Sequence, residues 1–215
     1  MKKFLASVLA AAALTMPVLA EDKVKSWRSL DSVGCMMLRE CTEGVIQLHS
    51  WAELGPDYEI AAAELDAIIE ALKKVGSAVY LADEKYFALR MRGVYDVRGN
   101  SIFLNKFYLD QPTKMIQVIR HEGWHAAQDC MAGTLNNTYT ALIHTEDSVP
   151  DWVRRGAELT YPKNVRPFEA EAMWAMYVEN KTVEALKVCG SPKKMWEHYT
   201  PTPLTGEWLK KEGFM

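Results

Sequence analysis

The stretch Thr113 to Cys130 reads TKMIQVIRHEGWHAAQDC and carries His121-Glu122-Gly123-Trp124-His125, an HExxH motif. Residues four apart on an α-helix share a face, one turn above each other. If this stretch is helical, His121 and His125 can reach one metal ion, and Glu122 is its neighbour without being a ligand. A zinc ion held by two His and a third protein ligand keeps one position open for water. It lowers the pKa of that water to about 7, and a carboxylate beside it can take the proton. The spacing therefore points to metal-assisted hydrolysis, with Zn²⁺ as cofactor, and the motif is among the more specific short ones.

The surrounding residues favour the helix. Pro112 suits a first helical turn, and Met115, Ile116, Val118, Ile119, Ala126 and Ala127 make the segment apolar enough to be buried. Two His and a Glu in such a setting are costly without partners. The competing reading is a chance match, with both His hydrogen-bonded in the core. Gly123 costs about 1 kcal/mol against Ala in a helix interior. It either permits close packing near the metal or is neutral.

A third ligand has to come from elsewhere. Position 131 is Met131, which excludes the HExxHxxGxxH pattern. His144, Glu146 and Glu158 are possible donors. Glu169 is the choice, because it falls in the first turn of the next buried helix, inside the apolar run Phe168 to Val178. Glu171, two residues on, is about 200° round that helix. Only one of the pair can face the metal; the other faces solvent or orients a ligand His. The plainer alternative is that both acids complement the helix N-terminus.

The chain begins Met1-Lys2-Lys3, runs apolar from Phe4 to Met16 and continues Pro17-Val18-Leu19-Ala20. This reads as a secretory signal peptide over 1–20, cut after Ala20. A membrane anchor is the weaker reading, because a spanning helix needs about 20 apolar residues. No later stretch is apolar enough to span, so no stable membrane insertion is expected after cleavage. Loss of Lys2 and Lys3 makes the chain two charges more acidic than its formal −3. That mild acidity gives no sign of nucleic-acid or anionic-membrane binding. Four Cys in an exported chain suggest two disulfides, for which three pairings exist. Cys35–Cys41, a short loop, and Cys130–Cys189, a long clamp, are the favoured pairs. A periplasmic or extracellular location follows.

In chain order, 21–56 is an N-terminal segment with the first Cys pair, 57–190 the catalytic domain, and 191–215 a tail packed on it. Asp57 reads as an N-cap, followed by Ala61, Leu65, Ile68, Leu72 and Val75 on one helical face, with Gly76 ending it. Ala78–Leu81 and Tyr86–Met91 read as strands. Val94–Val97 and Ser101–Asn105 read as a hairpin through Arg98-Gly99-Asn100. The pattern implies an α+β fold, a small antiparallel sheet packed on the buried HExxH helix, with a second ligand-bearing helix. If the Ile102 region is an edge strand near the metal, it can pair with an extended substrate. Gly133 to Tyr161 is loop-like, with a sequon at Asn136-Asn137-Thr138 and a short helix around Trp152 to Leu159. The second ligand-bearing helix is expected from Arg166 to about Lys187, and the tail is expected to be irregular, anchored by Trp196 and Trp208.

Over roughly Val94 to Val178 the chain resembles a zincin metallopeptidase of the gluzincin type, in which a Glu on a later helix is the third ligand. Glu169-Ala170-Glu171-Ala172 resembles the Glu-ligand helix of the CAAX-prenyl-endopeptidase and ImmA/IrrE families. Met173 stands where those families have Asp or Asn. The resemblance implies a zincin-like fold, zinc on His121, His125 and Glu169, Glu122 as general base, and a peptide or protein substrate. Tyr139, Tyr161, His144 and Tyr177 are candidates for an oxyanion donor. A different class, a non-catalytic exported binding module on the same scaffold, fits the same residues, and an inhibitor or envelope structural protein is a third.

Overall fold

A computed structural model of the chain describes residues 32–133 and 139–214. The expected signal peptide and the sequon at 136–138 lie outside the described residues.

The fold is α+β, mostly helical, with one four-stranded sheet. Its strands are β1 (Ile46–Leu48), β2 (Ala78–Ala82), β3 (Gly93–Asp96) and β4 (Ser101–Asn105), in the order β1-β2-β4-β3. β1 and β2 are antiparallel, β2 and β4 parallel, β3 and β4 antiparallel. The sheet is therefore mixed rather than antiparallel. The expected strand at Tyr86–Met91 is absent, and that is the reason. A 3₁₀ turn at Glu84–Tyr86 follows β2, and Arg90 takes a left-handed φ of 68°. Residues 83–92 thus cross the sheet, and the β3–β4 hairpin enters with β4 beside β2. The apolar character of that segment reflects two anchors instead of alternation. Tyr86 and Phe87 bury together against Met36, Ala82 and Phe103, while Leu89 is 92 % exposed. The Ile102 region is central as a result, and β3, like β1, is an edge strand.

The helices are α1 (Ala62–Lys74), α2 (Pro112–Met131), α3 (Asp151–Thr160), α4 (Arg166–Tyr177), α5 (Lys181–Cys189) and the short α6 (Met195–His198) and α7 (Gly206–Lys211). Leu65, Ile68 and Leu72 of α1 are buried at the periodicity expected. Asp57 is not its cap, because Pro56 opens a 3₁₀ turn through Ala61 before the α-helix begins. The single long helix expected to reach Lys187 is two helices. Asn180 breaks it at φ 61°, and its N–H donates to Glu64 Oε1 at 2.7 Å. Glu64 also takes a bidentate pair from Arg120 at 2.6 and 3.0 Å. Asn tolerates the left-handed region, and a buried carboxylate fixes the kink there. The tail is more ordered than expected. Met195 and Leu209 are buried, and Thr202 donates to the Leu142 carbonyl. Trp196 packs on the main core, whereas Trp208 stacks on Phe214.

Both favoured disulfides are formed, Cys35–Cys41 and Cys130–Cys189, with Cα–Cα distances of 5.3 and 5.8 Å. The second ties the end of α2 to the end of α5. Two such bonds fit an oxidising compartment. Among the described residues, no helix is long and apolar enough to cross a membrane.

α2 runs through the core, between α4 and α5 on one side and the sheet on the other. Gly123 is needed for this. A Cβ there would stand 2.8 Å from Thr182 Cγ2 and 3.6 Å from Ile68 Cγ2. The glycine therefore sets the approach of α5 to α2, away from the His pair.

Candidate metal centre

The helical register of α2 places His121 and His125 one turn apart, with Nε2 atoms 3.2 Å apart and rings edge to face. α4 begins with Pro167 in its first turn, packs across α2 and points Glu169 at both rings. Glu169 Oε2 lies 3.3 Å from His121 Nε2, and Oε1 lies 3.7 Å from His125 Nε2. The donor atoms of the three side chains lie within 4.8 Å of one another, so the group could hold a metal ion.

The three side chains bias one another's ionisation. Burial opposes ionisation of His125, but its bond to Glu169 and the charges of Glu122 and Glu169 lift its pKa to about 9. Burial also works against the Glu169 carboxylate, yet the two imidazoles hold it well below the usual carboxylate range. Two imidazole nitrogens and one carboxylate oxygen are a donor set that first-row divalent ions, zinc among them, accept.

Glu122 lines the same cleft as the three donors. It is only 8 % exposed, and its burial raises its pKa, partly countered by His121 and His125. The backbone N–H of Tyr95, on the free edge of β3, is near enough to oppose that rise. Gly93 makes the approach of β3 possible. A Cβ at Gly93 would meet Val118 Cγ1 at 2.6 Å and Glu122 Cγ at 3.2 Å. The strand edge and the carboxylate thus line one cleft with His121, His125, Tyr161 and Glu169, with a cavity volume of about 520 Å³.

Behind His125 lies a buried chain of hydrogen bonds. Gln128 Nε2 donates to Glu171 Oε2 at 2.7 Å and to the Phe168 carbonyl at 3.1 Å. Its Oε1 is therefore the atom facing His125 Nδ1, at 2.8 Å. With Gln128 Oε1 as the acceptor, His125 donates through Nδ1–H, so Nε2 is the nitrogen that a metal ion would take in exchange for a proton. Glu171 is fully buried and also accepts from the N–H groups of Ile143 and His144. It therefore does not face solvent, and it is joined through Gln128 to His125.

The remaining candidates lie elsewhere. Glu146 and Glu158 line a second cavity beside α3, of about 550 Å³. His144 is no loop residue in solvent. It packs between Trp124, Trp174 and Tyr199 and lies 3.1 Å from Lys181 Nζ. Burial and that ammonium group push its pKa down to about 4. Of the four oxyanion candidates, only Tyr161 lines the cleft; burial and the Glu169 charge raise its pKa. Tyr177 packs on Trp152 instead.

Four contributing residues were not apparent in the sequence: Gln128, Tyr95, Asp129 and Gly93. Gln128 follows His125 by three positions, a helix-neighbour spacing that could have revealed it. Asp129 is fully buried and accepts from the Tyr95 hydroxyl at 2.7 Å, while its Oδ1 has no hydrogen-bond partner. Burial pushes its pKa up to about 7. Nothing local in the sequence signals the Tyr95 or Gly93 contacts, which depend on the hairpin docking against α2. Compared with protein-family models, with curated proteins and with solved structures, the chain matches none.

Proposed function

We propose that the protein is an exported, zinc-dependent peptidase. The observation that carries this reading is Glu122, an unligated buried carboxylate set beside a His-His-Glu group in an open cleft. The resemblance to the gluzincins in the HExxH segment and the Glu169 helix supports it. The adjacent edge of β3 offers backbone hydrogen bonds to an extended chain, which favours a peptide over a compact small molecule.

His121, His125 and Glu169 would hold the zinc, and Gln128 with Glu171 would keep His125 in the ligating tautomer. Bound zinc supplies a Lewis acid that polarises the scissile carbonyl and acidifies water at the site. Glu122 takes the proton of the attacking water and later delivers it to the leaving amine. Its burial in the cleft wall, beside the β3 edge, keeps it next to the reacting atoms. The Tyr161 hydroxyl, facing the cleft, donates to the developing oxyanion.

The test is a mixed peptide library incubated with zinc-loaded mature protein, with and without a chelator, and with Glu122→Gln. Cleavage that is lost in both controls is the expected result. Stoichiometric zinc without any cleavage would replace the peptidase with a binding module.

A further inference from the structure

The rim of the cleft carries charge that the hydrolytic machinery does not use. Residues 88–93 read Ala-Leu-Arg-Met-Arg-Gly and line the cavity beside His121 and Glu122. Arg90 and Arg92 are both exposed, and neither forms an ion pair with a carboxylate among the described residues. Their backbone positions are set by the fold. Arg90 holds a left-handed φ of 68°, and Arg92 lies against the Tyr108 ring, 5.5 Å from its centroid. The only acids lining the cavity are Glu122 and Glu169. A divalent ion in the metal group would offset those two charges and leave the cleft with the two guanidinium groups in excess. In a chain of formal net charge −3, this is a local reversal of sign at the mouth of the site.

We infer that the cleft selects peptides carrying a carboxylate on its 88–93 side, where Arg90 and Arg92 receive it. Guanidinium groups bind carboxylates with paired, charge-assisted hydrogen bonds, and like charges at the rim would repel a basic peptide. The carboxylate comes from an acidic side chain or from a free C-terminus. This inference rests on the peptidase reading for its substrate, but binding tests it independently of turnover.

The probes are fluorescein-labelled hexapeptide pools in four forms: a central Glu or Gln, each with a free or an amidated C-terminus. Binding is measured by anisotropy to zinc-loaded Glu122→Gln protein. The carboxylate-bearing pools are expected to bind about tenfold tighter than the Gln, amidated pool, and the contrast to shrink with salt. In Arg90→Gln/Arg92→Gln the ratio should collapse to within about twofold, whereas Arg98→Gln, at the far hairpin turn, should leave it unchanged. Contrast seen in the central-Glu amidated pool assigns the source to a side chain; contrast seen only with free C-termini assigns it to the terminus. Equal binding of all four pools, or a contrast that survives the double substitution, overturns the inference. Carboxylate-dependent binding without cleavage by the unsubstituted protein would leave the inference standing and remove the peptidase reading. Where cleavage occurs, the double substitution should raise KM for acidic peptides more than it lowers kcat.

Discussion

Gln128 Oε1 lies 2.8 Å from His125 Nδ1, and both amide hydrogens of Gln128 are committed to Glu171 and the Phe168 carbonyl. The amide cannot turn over without losing two buried hydrogen bonds. The tautomer of His125 is therefore decided by residues on α4, the same helix that brings Glu169. Removing the amide with Gln128→Ala should weaken zinc binding about 10- to 100-fold, the usual effect of losing a partner behind a ligand His. Competition against a chelator of known affinity measures this, and unchanged affinity would show that the chain of hydrogen bonds has no role at the metal.

Gly93 tests the placement of the β3 edge against Glu122. A methyl group there would press on Val118 Cγ1 and Glu122 Cγ. Gly93→Ala should cost about 1–3 kcal/mol of stability through overpacking. If the displaced carboxylate is the general base as proposed, kcat should fall at least about tenfold while zinc content stays at the unsubstituted level. Urea unfolding and metal analysis on one preparation separate the two effects.

Asp129 gives a pH signature. Its pKa is raised by burial from 3.8 to about 7. Below 3.8 both folded and unfolded chains hold the proton. Between that value and about 7 the unfolded chain releases it while the folded chain keeps it, so stability falls as pH rises through this window. Asp129→Asn cannot titrate. Relative to the unsubstituted protein, it should gain about 3 kcal/mol between pH 4 and pH 8. Urea midpoints across that range check the direction; parallel curves would show that Asp129 titrates at its ordinary value.

The two disulfides should differ in weight. Cys130–Cys189 spans 59 residues of sequence and Cys35–Cys41 spans 6. Loop-closure entropy makes the long clamp worth about 4 kcal/mol and the short one about 2 kcal/mol. Replacing each pair with Ser and comparing denaturant midpoints tests the ranking.

How much of this was legible in the sequence depends on how local each feature is. The α2 helix and its His spacing are set by residues within a few turns, and so is the β3–β4 hairpin with Asn100 in its turn. Glu169 was reachable because it falls in the first turn of the next apolar helix. The pairing of β4 with β2, by contrast, depends on the path of residues 83–92. Two aromatic anchors and the left-handed Arg90 set that path, and their apolar run resembles a strand. The break at Asn180 was equally hidden, since it is held by Glu64, more than a hundred positions away. Glu171 and Gln128 were visible as residue types, but their connection across two helices exists only in the packed core.

The most direct measurement is zinc stoichiometry on purified mature protein, alone and with His121→Ala, His125→Ala or Glu169→Ala. One zinc per chain is expected in the unsubstituted protein, with the ion lost or bound far more weakly in each single variant. Absence of stoichiometric metal from a folded protein supplied with zinc, or full retention in the Glu169→Ala variant, would contradict a three-ligand centre joining α2 to α4.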